Sequence, residues 1–170
     1  MIQLFQRNYL TLCRIFCVNR TPAGNGGPKP KTIGAPGISR KIITVGASDD
    51  DVSVDLMGST AKNYSGRGPT EACVKKPDIV APGSNIVSCN LIRRNTGFLW
   101  GIRPSGSYIA KSGTSMSTPI VSGAIALLLC KYPDMTTREV KIRIKNCAED
   151  LGWPHEKQGW GLLNIEKLLK

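Results

Sequence analysis

Hydrophobic positions in this chain fall into short runs through its middle and one long run toward its end. The stretch "KIITVGAS" (41–48) is apolar and β-branched, ends near Gly and Ala, and precedes an acidic "DDD" turn, a pattern that predicts a buried strand. "PDIVAPGSNIVSC" (77–89) holds two more short runs, "DIVA" and "NIVSC", separated by a Pro-Gly turn. From Asn90 to Gly106 no period is visible, and two arginines stand together, so a loop or hairpin is expected before "SYIAKSG". From Ser115 to Cys130 "SMSTPIVSGAIALLLC" is long enough for about four helical turns. It is apolar on nearly every side, with Ser122, Gly123 and Ala124 in the middle, which predicts a helix buried in the core. "KYPDM" breaks it. "TTREVKIRIKNCAED" then restarts with Thr136 and Glu139 at capping-box spacing and Val140, Ile144 and Cys147 on one face, the pattern of a surface helix. "GWGLLNIEKLLK" predicts a last short amphipathic helix, and no internal repeat or low-complexity stretch appears.

Composition narrows the function classes. A chain of 170 residues with 41% hydrophobic content, 18 Gly and 11 Pro fits one globular domain rich in turns. The formal charge of +11 raises nucleic acid or a membrane surface as an anionic partner. The basic residues, however, are scattered: only Lys75/Lys76, Arg93/Arg94 and "REVKIRIK" (138–145) concentrate charge, and aromatic residues do not interleave with them as base-stacking surfaces require. Solvated faces are the expectation, with no nucleic-acid and no membrane partner. The six cysteines (Cys13, Cys17, Cys73, Cys89, Cys130, Cys147) form neither a C-x-x-C zinc pattern nor a dense disulfide framework. They read as reduced thiols of a cytoplasmic chain, with no metal site. Arg7, Arg14 and Arg20 interrupt the N-terminal apolar residues, so no signal-peptide core and no membrane span is expected there.

Candidate chemistry centres on "SGTSMSTP" (112–119), where serines and threonines crowd the start of the long apolar helix. A nucleophilic serine needs a base, donors for an oxyanion, and an exposed but rigid mounting. Gly113 leaves room for a substrate backbone, and Ser115 falls in the first helical turn, where unpaired N–H groups and the dipole favour developing negative charge. Pro119 has no N–H for the Ser115 carbonyl and crowds it, so a distortion behind that serine is expected. The competing reading makes Thr114 or Ser115 a plain helix cap.

Five segments taken in order favour the nucleophile. "AGNGGP" (23–28), "SRKIITVGASDD" (39–50), "SGRGPT" (65–70), "KPDIVAPGSNIVS" (76–88) and "SGTSMSTPIVSGAIALLL" (112–129) resemble successive segments of the subtilisin-like serine proteases, the subtilases of peptidase family S8. The resemblance runs from about residue 23 to the C-terminus. It implies an α/β fold, subtilisin-like, with a mostly parallel sheet flanked by helices. It also implies endopeptidic cleavage of protein or peptide substrates by acyl transfer. Ser115 stands where the family has its nucleophile, supported by Gly113, Thr114, Met116 and Pro119 of the motif. Asn25 matches the asparagine whose amide helps form the oxyanion hole, a neutral donor that does not itself titrate. Alone, "GNGG" also reads as a turn. No cofactor is expected, and the family's calcium dependence cannot be assigned to residues.

The family's triad runs Asp, His, Ser along the chain, and here it is incomplete. The single histidine, His155, follows Ser115 in "DLGWPHEKQGWG" and reads as a surface-loop residue. Asp49, Asp50 and Asp51 read as a turn, and Asp78 belongs to the "PDIVAPG" segment. Asn19, Arg20 and Pro22 stand where the family places a buried strand, and an interior parallel strand tolerates neither the charge nor the missing N–H. Residues 1–22 are therefore expected to be aberrant and 23–170 the C-terminal part of a catalytic domain, the N-terminal half of the fold being absent through truncation, a frameshift near residue 22 or a mis-called start. Two outcomes are expected: a chain inactive alone that associates with a complementary N-terminal half, or an inactive remnant acting as a peptide- or protein-binding module.

Overall fold

Three short parallel strands carry the candidate site. The computed structural model describes residues 18–56, 58–90 and 107–170. The lead segment 1–17 and most of the loop-or-hairpin stretch, 91–106, lie outside the described residues, as does Met57. Strands β1 (Arg20–Pro22), β2 (Ile43–Ala47) and β5 (Ile79–Ala81) form one sheet in the order β1-β2-β5. Thr21 is aligned with Thr44, and Val45 with Ile79. Strands β3 (Val54–Leu56) and β4 (Ser59–Ala61) pair antiparallel, as do β6 (Ile86–Cys89) and β7 (Tyr108–Lys111). Among the described residues four helices follow: α1 (Thr114–Lys131), α2 (Thr137–Cys147), α3 (His155–Gln158) and α4 (Ile165–Leu169).

The predicted strand at 41–48 is β2, buried at every position, as a strand paired on both sides and covered by a helix must be. Val45, Ile79, Ala81, Val121, Ile125, Leu128, Val140, Ile144 and Leu168 make one core cluster between this sheet and the helices. Each large aliphatic side chain buried there contributes about 1.5–3 kcal/mol relative to exposure. Helix α2 has the capping box read from its sequence: the Thr136 hydroxyl accepts from the Glu139 N–H, and the Glu139 carboxylate accepts from the Thr136 N–H. Val140 and Ile144 are its buried face.

Two expectations change. The segment judged unfit for the sheet forms β1, with Arg20 and Pro22 both inside it. The ladder to β2 uses the Asn19 carbonyl and the Ala23 N–H, so Arg20 and Pro22 direct their amide positions to the other side, where no described strand lies. The missing proline N–H thus costs no ladder bond on this edge strand, and the Arg20 guanidinium is held by Ser122 Oγ at 2.7 Å and the Val18 carbonyl at 2.7 Å. Helix α1 is also less enclosed than its composition suggests. Long and apolar enough to cross a membrane, it packs Val121, Ala124, Ile125, Leu128 and Leu129 inward. Pro119, Gly123, Leu127 and Cys130 stand exposed along the opposite stripe. The helix continues through Pro119 without a break.

Candidate active site

The chain leaves β1 through Ala23 and Gly24 and reaches Asn25 on an exposed turn. The segment 64–67 holds this turn in place. Gly66 N–H donates to the Gly24 carbonyl at 2.7 Å, and Gly27 N–H donates to the Tyr64 carbonyl at 2.9 Å. A Cβ at Gly66 would lie 2.6 Å from the Ala23 carbonyl oxygen, which gives the glycine of "SGRGPT" a steric reason.

The other wall is the start of α1. Gly113 is its N-cap with φ 135°, a conformation that favours glycine, and a Cβ there would sit 3.1 Å from Asn25 Nδ2. Gly113 N–H donates to the Gly83 carbonyl at 2.8 Å. Gly83 is fixed in turn, because Asp49 Oδ1 accepts from its N–H at 2.6 Å and from that of Ser84 at 3.1 Å. The Ser84 hydroxyl donates to the Asp49 carbonyl at 2.6 Å, so Tyr64 OH is the donor in its 2.9 Å bond to Ser84 Oγ. Burial pushes the Tyr64 phenol above its ordinary value, a direction that keeps this donor protonated. Asp49 is thus a brace under the helix start, a role that a reading of "DDD" as a turn does not reveal.

Between the two walls Thr114 grips Asn25. Asn25 Oδ1 accepts from the Thr114 N–H at 3.0 Å and from the Thr114 hydroxyl at 3.0 Å, while that hydroxyl accepts from the Gly24 N–H at 3.2 Å. The amide orientation follows from this pattern, since a flipped amide would set its NH₂ against the Thr114 N–H. Asn25 Nδ2, without an acceptor among the described residues, is left as the unspent donor beside Gly113. The capping alternative is corrected here: the cap is Gly113, no side chain caps α1, and the Thr114 hydroxyl serves Asn25 instead. Ser115 is exposed in the first turn. Among the described residues neither its hydroxyl nor its N–H has a hydrogen-bond partner. The Thr118 hydroxyl donates to the Thr114 carbonyl at 2.9 Å, closing the first turn on its inner side. An exposed hydroxyl, a free backbone N–H and an oriented amide thus gather at one helix start, where a dipole favours an anion.

The remaining titratable candidates lie elsewhere. His155 opens α3, whose backbone is tied to the Gly68 N–H through Glu156 and, just beyond, to Asp78 at the N-terminal end of β5. Asn25 follows the C-terminal end of the parallel strand β1, so the histidine sits toward the other end of the sheet. Asp50 is fully buried beside Arg67 (3.9 Å) and Lys157 (3.5 Å) and accepts from the Ser65 N–H. Asp78 is buried against Lys76 and Lys141 and accepts from the Thr44 N–H at 2.8 Å. Both carboxylates are committed to structure. Among the described residues no three His, Cys, Asp or Glu side chains gather as metal ligands.

Residues 21–161 match the subtilase family, peptidase S8. The chain belongs to this family. This subtilase is 42% identical over 151 residues to the serine protease AprX of Bacillus subtilis, a match that covers 85% of this chain and 33% of that protein. It is 32% identical over 146 residues to subtilisin DY of Bacillus licheniformis, covering 85% and 43% respectively. Among solved structures, the prenylagaramide maturation protease PagA superposes with a TM-score of 0.60 at 26% identity, over 88% of this chain and 48% of that one. The α/β fold is thus subtilisin-like, and the subtilase matches one third to less than half of the length of these relatives.

Proposed function

We propose that this chain supplies the nucleophile and the oxyanion donors of a serine endopeptidase acting on protein or peptide substrates. Ser115 Oγ attacks the peptide carbonyl, its proton passing to a base outside these 170 residues. The tetrahedral oxyanion is held by the Ser115 N–H and Asn25 Nδ2. The observation that carries this reading is the Thr114 grip on Asn25 Oδ1, which leaves the amide donor unspent beside Gly113 at the helix start that presents Ser115. His155 stands toward the other end of the sheet, so on this reading the proton acceptor comes from outside the described residues. In a subtilisin, loss of the catalytic histidine lowers turnover by about 2 × 10⁶, and the isolated chain is expected at that residual level.

The second reading, a peptide- or protein-binding remnant, draws on the same observation, that no base stands by Ser115 among the described residues. Labelling with a fluorophosphonate serine-hydrolase probe separates the two. The chain alone should label negligibly. Mixed or coexpressed with the part of AprX that precedes the matched region, it should label at Ser115, and Ser115→Ala should abolish the signal. A complex that forms but never labels would leave only the binding reading.

A further inference from the structure

A concave feature lies at the end of the sheet opposite Ser115. It is a cavity of about 330 Å³ lined by Arg40, Cys73, Val74, Lys75, Lys76, Asp78, Lys141 and Trp160. Arg40 precedes β2 and Lys76 precedes β5, so the cavity opens at the N-terminal ends of parallel strands. Four of its side chains are cationic and one is anionic.

The single carboxylate is already matched. Asp78 Oδ2 accepts from Lys76 Nζ and the Thr44 N–H, and Oδ1 lies 3.3 Å from Lys141 Nζ. Lys141 also donates to the Arg40 carbonyl at 2.9 Å and the Ile42 carbonyl at 3.3 Å. Lys76 Nζ donates to the Ile42 carbonyl at 2.8 Å, so of its three N–H groups one remains beyond the bonds to Ile42 and Asp78. Lys76 is 1% exposed, and a buried ammonium with an unspent donor favours an anion beside it. At the rim, Arg40 and Lys75 are exposed and add two more charges. The Trp160 ring, 5.6 Å from Lys141 Nζ, and Val74 give one apolar wall.

We propose that this cavity is a binding site for an oxyanion of the phosphate class, separate from the peptidase site. The Lys76 ammonium and the rim cations Arg40 and Lys75 hold the oxyanion, while Trp160 and Val74 flank the body of an organic ester when one carries it. Lowering of the Lys76 pKa by burial fits a site whose cation gains from an incoming anion.

Calorimetric titration of the full chain with inorganic phosphate, at ionic strength held constant with potassium chloride, tests the site. Saturable binding is expected, weakened about tenfold or more in the rim variant Arg40→Ala/Lys75→Ala. The pair Lys62→Ala/Lys111→Ala, exposed just after β4 and in β7 and outside the cavity lining, should leave it unchanged, because scattered surface charge is only screened. These substitutions fall on exposed side chains, so the fold is not at stake. Phenyl phosphate identifies the source: tighter binding than inorganic phosphate assigns the site to an organic monoester, equal binding to the free ion. A response that merely follows ionic strength, or a rim variant that binds like the parent chain, overturns the proposal.

Discussion

Thr114 acts on both sides of the candidate site. Its backbone opens α1 and its hydroxyl links the Gly24 N–H to Asn25 Oδ1, so a side chain only 1% exposed fixes the direction of an exposed amide. In the complemented complex, Thr114→Val removes both hydroxyl bonds, of which the one to Asn25 Oδ1 orients the amide; losing that bond, worth roughly 1–1.5 kcal/mol, should lower the rate of probe labelling about five- to tenfold. Thr114→Ser should restore it, which a purely packing role of the γ-methyl would not allow. Asn25→Ala should cost more, about 10²- to 10³-fold, the range measured for removal of such a donor in a subtilisin and carried over here. The local string around Ser115 points to a nucleophile because its residue types and helix position are local facts. The grip of Thr114 on Asn25 spans 89 residues, and the brace from Asp49 to Gly83 spans 34. Neither has a spacing that a sequence can display, which is why Thr114 reads as a possible cap and Asp49 as part of a turn.

Elements whose causes are local were legible, and those decided by their neighbours were not. The capping box of α2 needs only Thr136 and Glu139, three residues apart, and it is present as read. The assignment of β1 depended on which strand lies beside it: the same Arg20 and Pro22 that exclude an interior strand are tolerated at an edge. Likewise the residue types of α1 cannot say that its stripe from Pro119 to Cys130 lacks a covering element among the described residues. The α2 cap carries a pH prediction. The Thr136 N–H and hydroxyl hold the exposed Glu139 carboxylate below its ordinary value of 4.5. A depressed folded value means that the ionised form stabilises the fold above about pH 4.5, and that this contribution is lost as pH falls through the folded value. Glu139→Gln should therefore be less stable than the parent near neutrality, with the gap closing under acid. Thermal unfolding from pH 7 down to pH 3 reads this directly, and a gap independent of pH would exclude the carboxylate as its source.

At the scale of the whole molecule, two unmatched surfaces adjoin. Strand β1 pairs only with β2 among the described residues, leaving its second edge open, and α1 packs over that strand. The bond from Arg20 Nε to Ser122 Oγ ties the edge to the helix. Beside it runs the exposed stripe of Pro119, Gly123 and Leu127, with Leu127 52% exposed. Pro22 removes one N–H from that edge, so the stronger drive to recruit another element comes from the apolar helix face beside it. This chain matches only 33% of AprX and 43% of subtilisin DY, so on the proposed reading the unmatched part of such a relative is the partner to test. We therefore expect the isolated chain to self-associate, and the complementing segment of AprX to compete with that association. Sedimentation velocity across a concentration series should show species larger than a monomer, and Leu127→Lys should shift them toward monomer by placing a charge in the stripe. It should also weaken capture of the complementing segment while leaving Asn25 and Thr114 untouched, so that lost labelling would trace to assembly and not to chemistry. A parent chain that stays monomeric at every concentration and still captures the segment would confine the stripe to heterologous pairing. Indifference of both equilibria to Leu127→Lys would remove the stripe from the interface altogether.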